Sequence, residues 1–151
     1  LDDPAHQAAV LAMIDAYARD PMGDGRPLAA DVRERLIPGL RHHPTTLIAL
    51  AFDGDLPVGI AVCFLGFSTF AARPLLNLHD VAVLPSHRSR GVGRGLLAKV
   101  EARAREMGCC KLTLEVLDKN EKALRTYNAA GFKRYALQSE AGEAIFLTKP
   151  L

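Results

Sequence analysis

The sequence predicts an α+β domain built on one central mixed, mostly antiparallel sheet with about four helices around it. Three observations point there. Two apolar, strand-forming runs flank Asp53-Gly54, a pair suited to a tight turn. A later strand passes through a basic, glycine-rich loop directly into a helix. No repeat, low-complexity tract or linker interrupts the series, so residues 1–151 read as a single domain.

Asp3 before Pro4 is the N-cap and first residue of a helix, and Val10, Leu11, Ile14, Tyr17 and Ala18 then recur at helical spacing. Asp31 with Glu34 three residues on resembles a capping box, which predicts a short second helix stopped by Pro38-Gly39. Strands are expected over 45–52 and 58–64, on either side of the turn, and over 75–83, where Pro85 ends the run. Gly93, Leu96, Leu97, Val100, Ala104 and Met107 mark one face of a third helix closed by Gly108. A strand over 111–116 alternates Leu112, Leu114 and Val116 with Thr113 and Glu115. Asn120 caps a fourth helix that carries Ala123, Leu124, Tyr127 and Ala130 and ends at Gly131. The last two strands are expected over 132–137 and 144–148.

Composition narrows the function classes. A chain of 151 residues can bury roughly two-thirds of its unfolded surface without disulfides or metals. No apolar run approaches the roughly 20 residues of a spanning helix, and no segment resembles a signal peptide, so neither membrane insertion nor export is expected. Cys63, Cys109 and Cys110 offer neither an even disulfide set nor metal-ligand spacing; reduced thiols in the cytoplasm, and no metal, are the expectation. A net charge of +2 gives no general attraction to nucleic acid, although basic residues cluster between His87 and Arg94.

That cluster lies in Arg88-Ser89-Arg90-Gly91-Val92-Gly93-Arg94-Gly95. A pyrophosphate needs several backbone N–H groups converging on it, and only a chain free of bulky Cβ atoms wraps so closely. The first unpaired amides of the helix that opens here would point at such an anion, and Arg88, Arg90 and Arg94 would add full charges. Taken alone, a glycine-rich turn with solvated arginines fits equally well. A nucleoside-triphosphate loop would need Lys and then Ser or Thr after the last glycine, where Leu96-Leu97 stand. A dinucleotide fingerprint would need glycine at Leu96 and a strand ending at the loop, although Glu115 lies where that motif's ribose-binding acid would.

Arg88-x-x-Gly91-x-Gly93, preceded by Asp80-Val81-Ala82-Val83 and followed by Asn120-x-x-Ala123-x-x-x-Tyr127-x-x-x-Gly131-Phe132, resembles the GNAT family of N-acetyltransferases. The resemblance covers Val58 to Phe132 and implies the acyl-CoA N-acyltransferase fold, with acetyl-coenzyme A as cosubstrate. Family members open with a strand before the first helix, so that strand is expected to be missing or truncated here. The strand residues Val81, Ala82 and Val83 would offer backbone groups to the acetyl carbonyl and the pantetheine arm. Ser89 to Arg94 would hold the pyrophosphate, and Asn120, also a plain helix cap, would lie beside the cofactor.

By the same resemblance Tyr127 would give a proton to the departing thiolate, a contribution of typically about 10²–10⁴-fold for a general acid. Without the family, Tyr127 would read as one more apolar-face residue of its helix. The attacking amine must be neutral, and for a primary amine of pKa near 10.4 this costs about 4–5 kcal/mol at pH 7. Glu115 matches the glutamate base of the ribosomal-protein N-terminal acetyltransferases, whose Leu-Glu-Val segment recurs as Leu114-Glu115-Val116; a solvated carboxylate is the plain alternative. Residues 68–80 resemble the stretch before the cofactor strand in spermidine/spermine acetyltransferases, where an acidic pair occupies the positions of His79 and Asp80. His79 is then a second candidate base, with Asp80 orienting or pairing. Helices one and two with their connection, and the loop 67–74, should line the acceptor side.

The resemblance implies a small amine or amino-acid-like acceptor and a homodimer. A protein N-terminus or lysine is the alternative acceptor. A dinucleotide-binding domain and a non-catalytic module that meets nucleic acid are the alternatives of other classes.

Overall fold

The computed structural model describes residues 1–135 and 144–150. Helix α1 (Pro4–Ala18) starts as the sequence predicts: the Asp3 carboxylate accepts from the Ala5 amide at 2.8 Å, and proline holds the first helical position. Helix α2 (Ala30–His42) departs from expectation at both ends. Its N-cap is Ala29, without a side-chain bond, and Asp31 lies inside the first turn, paired with Arg35 at 2.5 Å. Pro38 does not stop the helix, because the bond it forfeits lies on a face where Glu34 and Pro38 are both exposed and water can serve the carbonyl.

Strands β1 (Thr46–Asp53), β2 (Leu56–Ser68) and β3 (Arg73–Val83) form an antiparallel meander, and Gly54, at φ +59°, makes the first turn. A 3-10 turn over Pro85–His87 leads to α3 (Val92–Glu106), β4 (Leu112–Leu114) and α4 (Glu121–Ala129). Sheet order is β1-β2-β3-β4, with β4 parallel to β3. The expected α+β fold with a mixed, mostly antiparallel sheet is therefore the observed one.

Each face of the sheet has its own core. Val10 and Met13 of α1 pack on Ile60 and Val62, while Leu97, Val100 and Ala104 of α3 pack on Ala61, Cys63, Leu76 and Leu78. Fully burying one such aliphatic side chain contributes about 1.5–3 kcal/mol, so these two seams hold the helices to the sheet. Asp15, on α1, fixes the loop to α2 by accepting from the Leu28 amide at 3.0 Å and pairing with Arg33 at 2.8 Å.

The last two expected strands do not form within the described residues. Phe132 instead closes α4: its N–H donates to the Tyr127 carbonyl at 3.0 Å, and its ring packs edge-on against Tyr127. Residues 133–135 and 144–148 are not strand, and 136–137 lie outside the described residues. Strand-forming side chains make a strand only beside an edge in register, and β4 extends for just three residues where 111–116 had been expected.

Gly59 on β2 sits where α3 crosses the sheet: a Cβ there would lie 2.8 Å from Val92 Cγ1 and 3.0 Å from Leu96 Cδ1. Gly59→Ala is expected to lower stability by about 1–3 kcal/mol, the usual cost of overpacking, read as a shift in the urea midpoint. An unchanged midpoint would mean that α3 does not seat there.

Candidate active site

The site follows from where the β3–β4 ladder stops. Register pairs run Leu76↔Leu112, Asn77↔Thr113 and Leu78↔Leu114 and then end. At the same level β3 carries a bulge: Val62 pairs with Asp80 and Cys63 with Leu78, which leaves His79 as the extra residue. Leu76 and Leu78 face the α3 core before the bulge, and Val81 faces it after, while Ala82 and Leu84 face α1. From the bulge onward, no strand lies beside the outer edge of β3 among the described residues.

Alternate residues of an antiparallel strand send their backbone groups to opposite sides. The Leu84 N–H donates to Val58 of β2 at 2.9 Å, while the Val83 carbonyl points the other way and accepts from Arg88 Nε at 3.0 Å. Val81, two residues before Val83, therefore presents its N–H and carbonyl to the open side. This open edge floors a groove of about 220 Å³. Met13, Tyr17 and Asp20 line it from α1 and the turn after it, Ser89 and Gly93 from the glycine loop, and Asn120 and Tyr127 from α4.

The loop turns through left-handed backbone and carries amides that an anion could use. Ser89 and Gly91 adopt φ of +62° and +89°, a left-handed conformation that glycine takes without strain. Gly91 is the N-cap of α3, and its carbonyl accepts the Gly95 amide at 2.9 Å. That leaves the amides of Ser89 through Arg94 without an acceptor among the described residues. Gly95 lies within the first turn, but its amide is already used. Arg90 and Arg94 are exposed and make no ion pair among the described residues. Arg88, expected to bind phosphate, does something else: its guanidinium donates to the Asp20 carboxylate and to the Val83 carbonyl, bracing the loop against α1 and the strand edge. The Arg88 hydrogen bond holds the Asp20 carboxyl below its ordinary range.

Asn120 caps α4 by accepting from the Ala123 amide at 3.2 Å and also lines the groove. Tyr127, one face of its ring fixed by Phe132, has a hydroxyl with no partner among the described residues. Burial, and then the neighbouring Tyr17, pushes the Tyr127 phenol up to about 12. Tyr17 is raised as well, by burial first and then by Asp80 and Asp20.

The two expected bases are not brought into the groove. Glu115 is exposed just past the end of β4. His79 is exposed on the bulge, with its ring 5.4 Å from Phe64, whose other neighbour is His43 at 4.7 Å. The loop 67–74 also lies away from the groove, with Phe70 at its tip 97% exposed. Conversely, Tyr17, Asp20 and Met22 of the expected acceptor side do line it, whereas α2 does not.

The acetyltransferase (GNAT) family model matches residues 10–132. The chain belongs to the GNAT family. It is 34% identical over 113 residues to streptothricin acetyltransferase of Streptomyces lavendulae, covering 70% of this chain and 57% of that protein. It is 36% identical over 79 residues to thialysine N-ε-acetyltransferase of Bos taurus, covering 52% and 46%. The chain thus spans about half the length of these curated relatives. Among solved structures, AAC(6')-Iy in complex with the bisubstrate analogue CoA-S-monomethyl-acetylneamine superposes with a TM-score of 0.74 over 98% of this chain and 94% of that one. At 19% identity the likeness concerns the GNAT fold alone.

In this GNAT domain, Gly93 is not demanded by packing, since a Cβ there would meet Val83 Cγ2 at 3.8 Å and Thr126 Cγ2 at 3.9 Å, ordinary contacts. The space a methyl would fill is groove. Gly93→Ala should therefore raise stability by about 0.5–1 kcal/mol through helix propensity while weakening coenzyme A binding at least about tenfold. Calorimetric titration with coenzyme A alongside thermal melting separates the two; unaltered affinity would place the pyrophosphate elsewhere.

Proposed function

We propose that this chain transfers the acetyl group of acetyl-coenzyme A to a primary amine on a small or amino-acid-like molecule, by direct attack in a ternary complex. One observation carries the reading: a row of unused amides at the start of α3, an open strand edge and an unpartnered phenol share one groove. Family membership supports the acetyl donor, and relatives named for acetylating streptothricin and thialysine support a small amine acceptor.

The residues present fit the donor. Amides from Ser89 to Arg94 and the positive end of the α3 dipole suit a pyrophosphate, with Arg90 and Arg94 close by in sequence for its charge. Val81 can pair with the amide-rich pantetheine arm as a neighbouring strand would, and Asn120 keeps its side-chain NH₂ for the same arm while its oxygen caps α4. Ala82 shares this stretch, but its side chain is turned to the α1 core. The carbonyl of Val83 is already engaged by Arg88, which leaves its N–H for the ligand.

As the amine attacks the thioester carbon, electrons pass to sulfur, and the Tyr127 hydroxyl is the proton donor in the groove. Because burial keeps this phenol protonated to about pH 12, it remains a competent acid through the whole neutral and alkaline range.

Tyr127→Phe should leave coenzyme A affinity intact and lower kcat by about 10²–10⁴-fold, measured by thiol release from acetyl-coenzyme A across a panel of amines with mass spectrometry of the product. An undiminished kcat would remove the acid role. The wild-type kcat should show no descending limb below about pH 11, since Tyr127 titrates only near 12. A limb near pH 10 that disappears in Tyr127→Phe would contradict the burial assigned to the phenol.

A further inference from the structure

The turn after α1 is a built part of the groove wall. The Asp20 N–H donates to the Tyr17 carbonyl at 3.0 Å, the Gly23 N–H to the Asp20 carbonyl at 2.8 Å and the Arg26 N–H to the Ala18 carbonyl at 3.2 Å, so the chain folds back onto the end of its own helix. Gly23 is held so close that a Cβ there would lie 2.3 Å from the Tyr17 carbonyl oxygen. Met22, within this turn, is 41% exposed and lines the groove together with Tyr17 and Asp20.

One carboxylate joins the turn to the far side of the groove. Asp20 Oδ1 accepts from the Met22 N–H at 2.9 Å, while Oδ2 accepts from the guanidinium of Arg88, whose Nε is committed to the Val83 carbonyl at 3.0 Å. The Asp20 side chain is only 11% exposed. Half removed from water and bonded through both oxygens, such a pair fixes geometry as a solvated surface pair does not.

Asp20 is the one carboxylate among the described residues that line the groove, so it could either receive a cationic acceptor or hold the wall. Both its oxygens are engaged and its charge is answered by Arg88, which favours the second. The coenzyme, as proposed above, takes the β3 edge, the head of α3 and Asn120, and leaves the α1 side to the acceptor. There the wall offers a thioether and an aromatic ring, surfaces that suit a carbon chain.

We infer that Asp20 is a positioning residue for the acceptor: through Arg88 it locks the turn that carries Met22 to the cofactor loop, so that Tyr17 and Met22 form a wall for the aliphatic stem of the amine. This rests on the acetyl transfer proposed above. Arg88, placed by sequence within the phosphate loop, then serves the acceptor as well, and it does so without touching either substrate through its bond to Asp20.

Steady-state rates with 1-aminobutane and 1,4-diaminobutane test the role, because a strut and an ammonium receptor respond in opposite directions when Arg88 is removed. Asp20→Ala and Arg88→Gln should each raise the amine KM by about tenfold, alike for both amines, with kcat held within about threefold. The double variant should be no worse than either single one, and Arg88→Lys, which keeps a cation for Asp20, should recover part of the loss. In Asp20→Ala the coenzyme A affinity measured by calorimetry should stay within about twofold, since Arg88 keeps Val83 and the loop keeps its tie from His87 to Asp53. Met22→Ala, which leaves the ion pair intact, should raise the amine KM by about fivefold and reads the same wall if Asp20→Ala does not fold.

An amine KM that falls in Arg88→Gln would make Asp20 a receptor for the charge of the acceptor and overturn the inference. An unchanged KM in a folded Asp20→Ala, or in Met22→Ala, would overturn it as well, whatever the melting temperature does. A wild type inactive toward every amine overturns the acetyl transfer itself, and the inference with it.

Discussion

The groove exists because two strands that run side by side part company. Parallel pairing of β3 with β4 lasts for three residues and ends where His79 is inserted into β3. Had the ladder continued, the backbone groups of Val81 and Val83 would have been spent on β4. Instead they face a groove that α1, α3 and α4 border. The same inserted residue reverses the side-chain phase, so that one local irregularity both frees the edge and sends Asp80 toward α1. Bulges are tolerated where their cost in lost pairing is matched by such a gain in aim.

A second constraint keeps the parts of the groove in fixed relation. The guanidinium of Arg88 joins the Asp20 carboxylate, the Val83 carbonyl and the loop that opens α3. The turn after α1 and the end of β3 meet the loop at one charged group, half-buried on the wall of the groove. Next to it His87 ties the 3-10 turn to the β1–β2 hairpin through Asp53 at 3.2 Å. The loop that presents the amides is thus braced from two sides, as a site that binds by preorganised backbone groups requires.

Much of this was legible in the sequence, for physical reasons that differ by residue. Asp3, Asn120 and the buried stripe Leu96, Leu97, Val100 and Ala104 follow from capping chemistry and helical period, which act locally. The glycine loop was legible through its spacing from the strand before it and the Asn120–Gly131 segment after it, since the glycines alone fit a solvated turn equally well. The brace made by Arg88 was not legible, since nothing within its own segment announces that Asp20, sixty-eight residues earlier, captures it. Glu115 and His79 were chosen by motif position, and their side chains are exposed because β4 is short and the bulge turns His79 outward. Asp80 was expected to orient or pair beside His79, but a register shift, invisible to alternation counting, decides where it points. Strands expected over 132–137 and 144–148 depend on whether an edge is there to receive them, which the local sequence does not tell.

The central claim is that the free amides at the head of α3 grip a diphosphate beside the open edge of β3. It is tested most directly by following backbone amide resonances of the ¹⁵N-labelled chain while coenzyme A is added. The account predicts that the largest shifts, downfield as hydrogen bonds form, fall on Ser89 through Arg94, with Val81 and Val83 moving in step. Shifts confined to other surfaces, with these amides unmoved at saturation, would contradict it.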